Sequence, residues 1–133
     1  AETELRKACD LATNDAIHTY TLALIIAEQG RTAETEALLE NTVALDPDFG
    51  RAWYNLGLAY AGAEKLDQAI KALAKAEATM PDLPDAAYAA ATIHLRRNDA
   101  ALASAACKRA LAIDPDHAGS LRLLENVTLA SGL

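Results

Sequence analysis

Small apolar residues recur along this chain at a fixed interval of 34 positions. Ala23, Gly57 and Ala91 form one column, Ala69 and Ala103 a second in which Thr35 is the larger member, and Ala8, Thr42, Ala76 and Ala110 a third. Tyr20, Tyr54 and Tyr88 keep the same spacing, as do Pro47, Pro81 and Pro115. A 34-residue period is the length of a helix-turn-helix unit that buries its apolar face only by stacking on a neighbour. The pattern therefore predicts an all-α array of antiparallel helices. Recurring small side chains mark where two helix backbones approach closely. Eight helices are expected, over residues 1–12, 15–29, 32–45, 49–62, 65–79, 84–97, 100–113 and 117–130.

Turn chemistry follows the same interval. Asn14, Asp48, Asp82 and Asp116 each stand just ahead of an apolar-periodic segment, where an Asx side chain can accept from the first free helix amides, and they are expected to be N-caps. Gly30, Asn98 and Gly132 recur at the other end of those helices, as a left-handed C-terminal cap requires. Glu64 is the exception in that column. The register predicts one array over residues 1–133, with full units at 16–49, 50–83 and 84–117. Residues 1–15 are then the second helix of a partial unit, since Ala1, Leu5 and Ala8 share columns with Ala69, Leu73 and Ala76. Residues 118–133 are a terminal helix whose polar Arg122, Glu125, Asn126 and Thr128 suit it to cap the stack. Half-units at both ends suggest either a piece of a longer protein or specialised ends.

Composition narrows the partner class. Apolar residues make up 52% of the 133 positions but aromatics only 5%, so packing relies on small aliphatic side chains. A net charge of −7 argues against nucleic acid, whose binding depends on Lys and Arg releasing condensed counterions. No uncharged apolar stretch reaches the 18 residues of a membrane span, so no membrane association is expected. Cys9 and Cys107 are 98 positions apart in an elongated stack and are expected to stay unpaired, which favours a reducing compartment such as the cytoplasm, an exported fragment of a larger protein being the alternative.

The central segment carries a more specific signal. Trp53, Leu56-Gly57, Tyr60, Ala69, Leu73 and Pro81 reproduce the pattern W-x2-L-G-x2-Y…A-x3-F…P with Leu for Phe, and so resemble the tetratricopeptide repeat family. The resemblance implies a right-handed superhelix with the first helix of each unit on the concave face, where ligands of such arrays bind. Carried over by position, that groove comprises Ile17, Tyr20, Thr21 and Leu24 from the first unit and Arg51, Tyr54, Asn55 and Leu58 from the second. Asp85, Tyr88, Ala89 and Thr92 come from the third, and Arg122 and Asn126 from the last helix. Tyr54 and Leu58, like Tyr20 and Leu24, are four residues apart and share a helix face. The tyrosines either grip a peptide or pack on the adjacent helix. The family's chaperone adaptors hold a terminal carboxylate with Lys, Asn, Asn, Lys and Arg. Here those places are filled by Tyr20, Leu24, Asn55, Asp85 and Ala89, so binding of a chaperone C-terminal carboxylate is not expected.

His94 and Cys107 occupy columns that pack within one hairpin, but no orienting third group or metal-ligand spacing with His18, His117 or Cys9 accompanies them. His94 is expected to be a core histidine replacing Tyr, and Cys107 a small filler. Neither catalytic residues, cofactor nor metal are predicted, and no phosphate loop is present. The expected function is a noncatalytic scaffold that binds a peptide or protein segment in the groove. The alternative is a structural spacer that self-associates through its end helices. Arrays of this family also resemble segments appended to enzymes such as multihaem cytochromes, but no C-x-x-C-H site occurs here.

Overall fold

A computed structural model of the chain describes residues 16–130. Seven helices occupy them: α1 (Ala16–Glu28), α2 (Thr32–Leu45), α3 (Gly50–Gly62), α4 (Leu66–Thr79), α5 (Asp85–Arg96), α6 (Ala100–Ile113) and α7 (Ala118–Ala130). The helix expected at 1–12, together with Asn14, Cys9 and Gly132, lies outside the described residues. α1 pairs with α2, α3 with α4 and α5 with α6 as hairpins, each of which stacks on the next. The first helices also touch one another, α3 with α5 and α5 with α7. The architecture is an all-α superhelical array. Among the described residues no helix is long and apolar enough to cross a membrane.

The columns of small residues lie where helices nest. Ala23, Ala91, Ala69, Ala103, Ala76 and Ala110 are fully buried. At Gly57 the approach leaves no room for a side chain: a Cβ there would stand 2.7 Å from Leu73 Cγ and 2.8 Å from its Cδ2. Thr35 and Thr42, the larger members, are buried as well, and each hydroxyl donates to the carbonyl four residues back, Arg31 at 2.9 Å and Leu38 at 2.8 Å. That bond satisfies the one polar atom an alanine would not bring. Opposite the small columns, Leu39, Leu73 and Cys107 fill the hairpin interiors at the same interval, joined by Leu22, Ile26, Leu56 and Ile93.

The turns depart from expectation. Asp48 and Asp116 do not cap the helices that follow: their own backbone amides donate to Asp46 Oδ1 and Asp114 Oδ1, each at 3.1 Å, in turns that precede the helix. The N-cap of α3 is Phe49 and that of α5 is Pro84, neither with a side-chain cap bond, so Asp82 does not cap α5 either. Side-chain capping passes to Asp99, whose Oδ1 accepts from Leu102 N at 3.0 Å. At the helix C-termini, Glu64 is no exception: its φ of 64° matches 73° at Gly30 and 61° at Asn98. A glutamate so placed sets its Cβ against the following carbonyl, at about 1–2 kcal/mol. Its ion pair with Arg96 at 2.6 Å joins two exposed side chains and returns less than about 1 kcal/mol. Glu64→Gly is therefore expected to raise stability by about 0.5–1 kcal/mol, seen as a higher thermal midpoint. A lower midpoint would mean that the pair outweighs the strain.

Among the described residues, ion pairs cross between hairpins at Lys65–Glu36 (2.9 Å), Arg96–Glu64 (2.6 Å), Arg97–Asp67 (2.7 Å) and Arg109–Glu77 (3.0 Å). The charges of the outer helices thus pair in part with the neighbouring unit.

Candidate functional site

The residues carried over to the groove share the first helices but differ in accessibility. Ile17 is 66% exposed, Leu24 and Leu58 are each 42% exposed, and Thr21, Arg51, Arg122 and Asn126 are exposed as well. Asp85, Thr92 and Asn55 are half-buried, and Ala89 is buried. Three large aliphatic side chains are thus left in water on the first helices, as Leu102, Ile113, Leu121 and Leu129 are on α6 and α7.

The three tyrosines are half-buried, and Tyr20 and Tyr88 lean on the element that follows their own hairpin. Tyr20 stacks at 4.8 Å on the Phe49 ring, and its hydroxyl accepts from Asn55 Nδ2 at 2.7 Å. Tyr88 lies 5.3 Å from the His117 ring and against the backbone of Gly119, where a Cβ would come within 3.0 Å of the ring. Burial, then the negative charge of Asp85, push the Tyr54 hydroxyl up, against a smaller opposing effect of Arg51. It remains a proton donor at neutral pH. Tyr20 and Tyr88 therefore pack across to the following element, and all three tyrosines keep part of their surface in solvent.

Beside Leu24, Asn55 and Leu58 the surface deepens into a cavity of about 550 Å3 between α1, α2 and α3. Its walls are largely apolar, and Glu36 and Lys65 stand among its polar residues as a closed ion pair, Lys65 Nζ reaching both Glu36 oxygens at 2.9 Å. The size is that of a ligand pocket. Charge and motif spacing along one repeat do not announce it.

The sequence also does not announce a cluster at the start of α7. Ser120 N and Ser120 Oγ lie 3.2 and 2.8 Å from His117 Nδ1, and His117 Nε2 lies 3.6 Å from Asp85 Oδ1. The order Ser, His, Asp resembles a hydrolytic triad, but the chemistry differs. Nδ1 already accepts the backbone N–H of Ser120, Ser120 is fully buried, and 3.6 Å is too long for an orienting hydrogen bond. The imidazole caps α7, in the place where Asp116 was expected to act.

His94 is half-buried, and burial holds it below the ordinary histidine range, opposed by Asp99. Cys107 is fully buried, and burial pushes its thiol up, away from the reactive thiolate. Among the described residues no group of three His, Cys, Asp or Glu could hold a metal ion.

A sequence search of curated proteins finds no match. In solved structures the fold recurs in MamA, with a TM-score of 0.92 at 21% identity over 99% of this chain and 77% of that one. It recurs in the Yersinia enterocolitica type III secretion chaperone SycD, solved with a peptide of the translocator YopD, with a TM-score of 0.79 at 18% identity over 85% and 92% of the two chains. The first tetratricopeptide domain of Spaghetti (RPAP3), bound to the HSP90 peptide SRMEEVD, gives 0.81 at 17% identity over 89% and 94%. At these identities the likeness is one of fold. Profiles described as tetratricopeptide repeat match residues 27–93 and 84–117. With half the chain matched by the first of these, and with the Trp53 to Pro81 pattern inside its span, the chain belongs to the tetratricopeptide repeat family.

Proposed function

We propose that the chain is a noncatalytic docking module that holds an extended or helical segment of another protein along the exposed side of α1, α3 and α5. The observation that carries this function is the row of accessible Ile17, Leu24 and Leu58 beside half-exposed Tyr20, Tyr54 and Tyr88. Aliphatic side chains supply transfer energy on burial, and tyrosines add area at low rotamer cost. Two fold neighbours, SycD and the RPAP3 domain, were solved holding peptides. An acidic tail such as the HSP90 peptide does not suit this surface: Asp85 repels it, and Asn55 is already bonded to Tyr20. Neutral or modestly basic segments do.

The test uses twelve-residue peptides selected from a random display library on the wild-type chain, with affinity read by fluorescence anisotropy. The double variant Tyr54→Ala/Tyr88→Ala is expected to weaken binding at least about tenfold while its helical circular dichroism is kept. Full affinity in that variant would remove the groove from consideration. A second function, a spacer that stacks through its end, is favoured by Leu121 and Leu129 of α7, which are 48% and 67% exposed. Sedimentation separates the two, since a strict monomer excludes stacking through α7.

A further inference from the structure

The two junctions between successive hairpins are built from equivalent positions 34 residues apart, but the first, which holds the cavity described above, carries smaller side chains at several of them. The residues that would fill it are present one interval later. Thr32, Glu36, Ala59 and Gly62 at the first junction correspond to Leu66, Ile70, Ile93 and Arg96 at the second. Ile93 is only 2% exposed, and Leu66 and Ile70 are half-buried. Arg96 lies across the mouth of the second junction, donating to Ala61 O at 3.4 Å and Glu64 Oε1 at 2.6 Å. At the first junction Ala59 replaces the isoleucine, and Gly62 replaces the arginine at a point where an added Cβ would meet nothing within 4 Å. One junction is plugged by the chain itself, and the other is open.

We propose that the open junction is an anchor pocket for one large aliphatic side chain, Leu, Ile or Met, of the peptide held in the groove; this rests on the function proposed above. Continuity fixes the source of the occupant, because Leu24, Asn55 and Leu58 belong both to the cavity wall and to the groove. Electrostatics fix its chemistry. Lys65 is engaged by both oxygens of Glu36, so the rim offers neither a free cation to an acidic side chain nor a free carboxylate to a basic one. The walls are mainly Ala, Leu and Gly carbon, against which an ionised group would be desolvated without compensation. The second junction, plugged by Ile93 and Arg96, takes no anchor, so the array reads its ligand at one point and grips it nonspecifically elsewhere.

The chain supplies its own control. Ala59→Ile copies Ile93 into the cavity, and Gly62→Arg copies Arg96 over its mouth; thermal unfolding establishes that each variant folds, and either one suffices. With the display-selected peptides as probe, the selected set is expected to share one aliphatic residue whose replacement by Ala weakens binding at least about tenfold. The plugged variants are expected to lose a similar factor and to bind the aliphatic and Ala peptides alike. Equal affinity of plugged and wild-type protein for the aliphatic peptide, with Tyr54→Ala/Tyr88→Ala still impaired, overturns the pocket and leaves the groove. Full affinity in the tyrosine variant overturns both. A wild-type dimer in sedimentation that Ala59→Ile dissolves would assign the pocket to a second copy of the chain and also overturn the proposal.

Discussion

Gly57→Leu is expected to lower the unfolding free energy by about 3 kcal/mol, the upper end of what overpacking a filled core costs. A Cβ alone at this position would lie 2.7 Å from Leu73 Cγ, 2.8 Å from its Cδ2 and 3.4 Å from Ala69 O. Leu73 cannot yield easily, since it is fully buried between Ala69 and Ala76, which are fully buried too. Leucine's better helix propensity returns only about 0.8 kcal/mol, so the clash wins. Urea unfolding followed by circular dichroism measures the difference. A loss under about 1 kcal/mol would show that α3 and α4 separate freely, against the close packing described for them.

Leu73→Ala is expected to be costlier still, about 3–5 kcal/mol, because it removes the side chain that α3 closes over and leaves a cavity walled by helix backbones that cannot collapse further. The location adds a second effect. α3 and α4 are the middle hairpin, and in a stacked array each unit is stabilised largely by its neighbours. Weakening the middle is expected to divide one cooperative transition into two. Trp53, the only tryptophan, reports on this hairpin through its packing and its Nε1 donation to Pro47 O at 2.7 Å. Its fluorescence is expected to change at lower urea than the helical signal, whereas coincident transitions would contradict the nearest-neighbour account. In Gly57→Leu/Leu73→Ala the added leucine enters the vacated space. The double variant should lose at least about 1 kcal/mol less than the sum of the two single losses.

The nesting surfaces are legible in the sequence because close approach admits so few side chains: a column of Ala and Gly every 34 positions has almost no other cause. Even Thr35 and Thr42 fit, since a β-hydroxyl can fold back onto its own helix. The caps are less legible. Asp46 and Asp48, like Asp114 and Asp116, are equally competent acceptors two residues apart, and which one acts depends on how the turn is routed. His117 was hidden because an imidazole is a rare cap and its acceptor nitrogen is visible only once the ring is oriented against Tyr88. At Glu64 the backbone of the turn overrode the residue's own preference, as adjoining hairpins demand the same geometry there as at Gly30 and Asn98.

The proposed groove rests on the family pattern alone, and the spacing could not say whether Tyr20 and Tyr88 face outward or a neighbour. Asn55 and Phe49, and His117 and Gly119, answer for the inner edge of each ring. The cavity could have been foreseen by comparing Ala59 with Ile93 and Gly62 with Arg96. What concealed it is that a void is made by residues that are absent, and small residues in this chain ordinarily signal contact.

The described ion pairs that bridge consecutive hairpins lie mostly at the surface, where counterions at about 0.15 M weaken attraction beyond roughly 8 Å and denser brine erodes even contact pairs. The nested alanines feel no such screening. The array accordingly has two kinds of tether, an interior that salt leaves intact and a charged outer lacing that salt loosens.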